Sequence, residues 1–224
     1  LRPPALLGKM ASTVDVISGG RLVMGIGVGG TVQPPNAGGV PGRNPAVTEY
    51  AAYGIPLIRP SEGIARLEET VRILRKMWRE EEFDYQGPFT TLVGTRNAPK
   101  PVQAAGPPLL IGAWGERALR VVAEHADVWN IPGPPHNSVE DVAERSRILD
   151  RLCRAAGRDP ADVERSVQII VADDGAAQAR EAIAGLTAVG VRHVVVGSRR
   201  QYRPGGMTWL LEEVVRPAYE ISRI

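Results

Sequence analysis

Residues Pro107–Ile131 read PPLLIGAWGERALRVVAEHADVWNI. Leu109–Ile111 is a short apolar run, Gly112 and Gly115 punctuate a turn, a helical pattern follows, and Val128–Ile131 is a second apolar run. The reading is strand, turn, helix, strand. A strand that passes through a glycine turn into a helix directs backbone N–H groups and the positive helix end at one point. That point suits a phosphate.

The same alternation extends to both sides. Upstream, Leu6, Met10, Val14 and Ile17 form a helical stripe stopped at Gly19–Gly20, and Leu22–Ile26 reads as a strand ending in glycines. Thr31–Pro60, dense in Pro and Gly, reads as a long excursion. Ser61 is placed to cap the next helix, whose face is Ile64, Leu67, Val71, Leu74 and Trp78. Glu62 with Arg66 and Glu68 with Arg72 are spaced for weak surface pairs. Phe83–Pro107 shows no period, only a Gly87–Pro88 turn. Downstream, Ser138 with Asp141 resembles a capping box for a helix that stops at Gly157. Val167–Ala172 and Val191–Val196 read as strands around a helix over Ala176–Ala188. A last helix over Met207–Ser222 is kinked by Pro217. Five short apolar strands alternating with helices predict an α/β fold with a parallel sheet and helical crossovers. Five strands suffice for a doubly wound sheet, whereas a closed barrel needs eight.

The 224 residues are enough for one domain with a sizeable core, and 43% hydrophobic with 23% charged content is ordinary for a globular protein. The net charge of +2 is spread thinly, so no nucleic-acid or anionic-membrane partner is expected. No apolar run is long enough to cross a bilayer. A single cysteine, Cys153, excludes an internal disulfide and fits a cytoplasmic location; its place in the helical pattern predicts a buried thiol. The chain opens LRPPALLGKM, with neither Met nor a signal pattern, and reads as the continuation of something upstream.

Gly25-Ile26-Gly27-Val28-Gly29-Gly30 fits G-x-G-x-x-G after a strand, with Glu49 near the acidic position of a dinucleotide site. A helix should then open at the third glycine, yet Gln33-Pro34-Pro35-Asn36 follows. The Rossmann-type reading is therefore the weakest of those considered. G-x-S-x-G, H-E-x-x-H and a Walker lysine loop are absent, and His125, His136 and His193 lack metal-ligand spacing, so no metal is expected.

Five segments in order carry a resemblance. They are Ser18-Gly19-Gly20-Arg21-Leu22-Val23-Met24-Gly25-Ile26-Gly27; Glu49-Tyr50-Ala51-Ala52-Tyr53-Gly54-Ile55-Pro56; Arg66-Leu67-Glu68-Glu69 with Leu74–Trp78; Pro99-Lys100-Pro101-Val102-Gln103; and the opening segment with Asp127-Val128-Trp129-Asn130. Together they resemble the bacterial luciferase-like flavin and deazaflavin oxidoreductases over nearly the whole chain. Gly30, Ala113 and Val128 depart from that pattern, where the family often has Trp or an acid, a second glycine, and a glycine.

The resemblance implies a TIM-barrel (β/α)8 type of fold, present over 1–224 as its C-terminal part with about five strands. Three βα units, about 90 residues, would precede it. It implies an oxidoreductase that uses F420, or alternatively FMN, for hydride transfer or monooxygenation of a small organic substrate. The cofactor-binding candidates are Gly27, Gly29, Gly112, Ala113, Trp114, Gly115, Glu116 and Trp129. His136 is the substrate candidate, with a solvated loop histidine as its alternative, and Arg199 and Arg200 after the last strand read as a solvated rim or as contacts for an anionic cofactor tail. The general acid or base of the deazaflavin branch sits on the early strands, so none is assigned. The alternative is a catalytically silent fragment or assembly subunit. Five open strands leave uncovered edges, so a homo-oligomer is expected.

Overall fold

The computed structural model describes residues 2–31, 45–198 and 202–221. Helix α1 (Pro4–Ser18) leads into β1 (Met24–Ile26), then α2 (Pro45–Ala52) and α3 (Pro60–Arg79). The pair β2 (Glu82–Gln86) and β3 (Thr91–Arg96) precedes β4 (Leu109–Gly112), α4 (Glu116–His125), β5 (Val128–Ile131) and α5 (Val139–Ala155). After β6 (Glu164–Val171), α6 (Ala176–Ala188) and β7 (His193–Ser198) come α7 (Gly206–Leu210) and α8 (Arg216–Ile221). One sheet holds five strands in the order β1-β4-β5-β6-β7. Its neighbours β4 through β7 run parallel, each reached by a helical crossover. This is the expected α/β half-barrel architecture. The chain divides into two compact units, Leu1–Leu109 and Leu110–Ile224.

In the first unit α1 packs on α3. Leu67, Val71, Leu74 and Trp78 are buried as their spacing predicts, joined by Ile73 and Met77. Ser61 does not cap α3: Arg59 stands at the cap without a side-chain bond, and Pro60 opens the helix. Proline suits that place because the first helical N–H has no partner in any case. The α1 stripe is a larger correction. Leu6, Met10, Val14 and Ile17 are exposed, Ile17 by 79%, and the buried side carries Gly8, Ala11, Ser12 and Asp15. Close approach explains it, since a Cβ on Gly8 would lie 2.6 Å from Met77 Sδ. The helices meet where side chains are smallest. The stretch expected to be irregular holds the antiparallel pair β2–β3, with the expected Gly87–Pro88 turn in its loop.

In the second unit β5 keeps its expected bounds, β6 starts three residues earlier than expected and β7 two residues later. Val167, Ile169 and Val171 are buried, while Gln168 and Ile170 between them are exposed, the period-two alternation of a strand. Ile170 is 65% and Val195 40% exposed, so the opposite face of the sheet is open at these positions. Ser138 caps α5 by accepting the Asp141 N–H at 3.1 Å, and Gly157 follows the helix with a φ of 72°. Cys153 is buried on α5 as expected, and burial pushes its thiol up. The last helical run continues through a π-helical turn over Leu211–Val215, just ahead of Pro217, where the sequence predicts a kink. Among the described residues no helix is long and apolar enough to cross a membrane.

Candidate functional site

The turn from β4 to α4 lies in the second unit and is built by backbone. Gly112 is the last residue of β4, and Gly115 stands at the N-cap of α4 with no side chain closing the cap. The first-turn amides of α4 therefore have no capping oxygen of their own, the condition under which a helix end receives an anion. Two bonds hold the turn against β5. Ala113 N–H donates to the Asn130 carbonyl at 3.3 Å, and Trp129 Nε1 donates to the Ala113 carbonyl at 2.9 Å.

Trp129 is fully buried, so it acts on the turn from behind as a brace. Asn130 is also buried and committed: it donates to Ser166 Oγ at 2.8 Å and accepts from Gln168 at 3.0 Å. Ser166 Oγ in turn meets His193 Nδ1 at 2.8 Å, which gives His193 a structural role.

The surface of the turn carries an aromatic sandwich. Trp114 stacks on His136 with ring centroids 4.3 Å apart and planes 25° from parallel. The guanidinium of Arg145, from α5, lies 4.8 Å from the ring centroid of Trp114. Glu116 pairs with Arg120 at 3.1 Å, which draws its carboxylate along the helix, and Arg117 is exposed at the first turn. Gly112, Ala113, Trp114, Gly115, Glu116, Trp129 and His136 thus gather in one place. Arg145 joins them unforeseen. It sits on the polar side of a helix far along the chain, and nothing in its spacing marks it. Arg199 and Arg200 lie outside the described residues.

Gly27 and Gly29 belong to the first unit. They line a cavity of about 800 Å³ whose wall includes Met24–Gly30, Tyr50, Gly63, Glu69 and Phe89. Gly29 adopts a φ of 74°, and Gly30 N–H donates to the Tyr50 hydroxyl. A Cβ on Gly30 would lie 2.7 Å from the Tyr50 ring, so the departure from the family pattern at this position has a cause: the phenol fills the space. Gly30 stands in a bend, and Thr31 after it forms a parallel bridge with Ile58. That conformation is the opposite of the helix start that a dinucleotide site needs.

Gln103 ties its loop to α1. Its backbone and side chain donate to Asp15 at 3.1 and 2.8 Å, and its side chain also donates to the Leu22 carbonyl at 2.9 Å. Burial pushes the Asp15 carboxyl up, but these hydrogen bonds outweigh it and hold the group below its ordinary range.

Comparison with known proteins agrees with the β/α fold. A profile of the luciferase-like monooxygenase family matches residues 1–213, and the chain belongs to that family. An uncharacterized protein of Mycobacterium tuberculosis (strain ATCC 25618 / H37Rv) is 26% identical over 217 residues, 96% of this chain and 65% of the relative. The FMNH2-dependent dimethylsulfone monooxygenase of Pseudomonas putida is 26% identical over 203 residues, 91% of this chain and 50% of the relative. The coenzyme F420-dependent tetrahydromethanopterin reductase of Methanopyrus kandleri superposes with a TM-score of 0.73 at 14% identity, over 96% of this chain and 79% of that one. This chain therefore spans between half and two thirds of the length of those two sequence relatives.

Proposed function

We propose that residues 1–224 form one β/α domain of an oxidoreductase that uses F420, or alternatively FMN, on a small organic substrate. The supporting observation is the uncapped amino end of α4 beside Trp114 and Arg145. The Gly112–Glu116 backbone would hold the cofactor phosphate, with Trp129 bracing the turn and Arg117 and Arg145 adding positive charge. Gly27 and Gly29, in the first unit, leave their backbone open to close approach by a bound ligand. His136, half-buried against Trp114, would meet the substrate. The cofactor itself supplies the redox chemistry, hydride transfer or oxygen activation. The chain's own part is binding, orientation and exclusion of water.

Fluorescence titration of the purified chain with F420, FMN and riboflavin tests this. A phosphate site predicts that FMN binds at least about tenfold tighter than riboflavin, or about 1.4 kcal/mol. Arg145→Ala should remove most of that difference. Failure of both F420 and FMN to bind would end the proposal. A second reading, an assembly subunit without turnover of its own, draws support from the open sheet face at Ile170 and Val195. Cofactor binding without turnover would favour it.

A further inference from the structure

We propose that the cavity of the first unit binds a small molecule through a protonated amine, and that Glu69 selects it. Glu69 lines this cavity yet is 4% exposed. Its Oε2 accepts the Phe89 N–H at 3.2 Å, while Oε1 is buried and, among the described residues, has no hydrogen-bond partner. A carboxylate removed from water is costly unless charge and donors replace the lost hydration. Three cations of its own helix are engaged with other carboxylates, Arg66, Arg72 and Lys76 with Glu62, Glu68 and Glu80, although Arg66 and Arg2 also line the cavity. The position is also built. A Cβ on Gly87 would lie 2.5 Å from Oε2, so the loop between β2 and β3 leaves room for this carboxylate and hands it one amide. What remains, among the described residues, is one acceptor without a donor, on a residue that lines a cavity sized for a small ligand together with Tyr50, Leu67 and Phe89. An ammonium brings three N–H donors and the missing charge; an alcohol brings one donor and no charge.

The test uses the whole chain without cofactor and compares benzylamine with benzyl alcohol by calorimetry. The amine should bind at least about tenfold tighter, and Glu69→Gln should erase the difference. Equal affinities, no binding of either probe, or a preference that survives Glu69→Gln would overturn the proposal. Should Glu69→Gln not fold, the Phe89 backbone amide of the unaltered chain decides by NMR. Its resonance should move with benzylamine and stay with benzyl alcohol; the same response to both overturns the proposal. Riboflavin, FMN and F420 play no part in this test, so its failure and that of the oxidoreductase reading are separable.

Discussion

Trp129 shows how one side chain decides between two roles. Its position at a strand end is compatible with a ring contact or with the core, and the structure buries it and commits its single polar atom to the Ala113 carbonyl. Trp129→Phe keeps most of the volume and removes that bond. It should cost about 1–3 kcal/mol in urea unfolding and loosen FMN binding, because the turn loses its brace. Asp15 yields a prediction with a sign. Its folded carboxyl lies below the ordinary value of 3.8, so its contribution is present above that value and lost as pH falls through the lower folded one. Thermal unfolding below about pH 4 should be less steeply pH-dependent in Asp15→Asn than in the parent chain. Neither the Asp15 bond to Gln103 nor the Arg145 contact to Trp114 was legible beforehand. Each joins residues far apart in sequence, and only the fold brings them together.

At the scale of elements, legibility followed the strength of the local signal. Val128–Ile131 and Ala176–Ala188 keep their expected limits because apolar runs and flanking breakers agree. β2 and β3 escaped notice because Phe83 and Tyr85 supply only a brief alternation and Gly94 interrupts the second strand. The α1 stripe pointed the wrong way for a different reason: helix contact was won by small residues, and a hydrophobicity pattern cannot register close approach. The loop ahead of β4 depends on the same closeness. Gly106 adopts a φ of 83°, and a Cβ there would overlap the indole of Trp78. Gly106→Ala combines backbone strain with overpacking. It should lower stability by about 2–4 kcal/mol, read as a lower urea midpoint with the slope unchanged. Ser138→Ala, which removes only the α5 cap, should cost about 1 kcal/mol.

For the molecule as a whole, the balance between apolar surface and charge is the feature with consequences. Leu6, Met10, Val14 and Ile17 stand exposed on α1, Ile170 and Val195 on the sheet, and Met207, Leu211, Val215 and Tyr219 along the last helical run. A net charge of +2 offers little repulsion to keep copies apart. The chain should bind the dye ANS in its folded state, and its mass by light scattering should rise with concentration. A dye-silent, concentration-independent monomer would contradict this. The sequence conveyed the five strands of the parallel sheet and, through the family resemblance, the half-barrel class; which apolar residues remain uncovered depends on how the elements pack.

One row of side chains ties the second unit together. Gln168 donates to Asn130, Asn130 donates to Ser166, and the Ser166 hydroxyl shares a hydrogen bond with Nδ1 of His193. Asn130, Ser166 and His193 stand level on β5, β6 and β7. Sliding any of these strands by one residue would turn its member of the row to the other face and break the chain of donors. Deuterium should therefore enter the three strands together, with one shared opening free energy, and Ser166→Ala should split that single step into several.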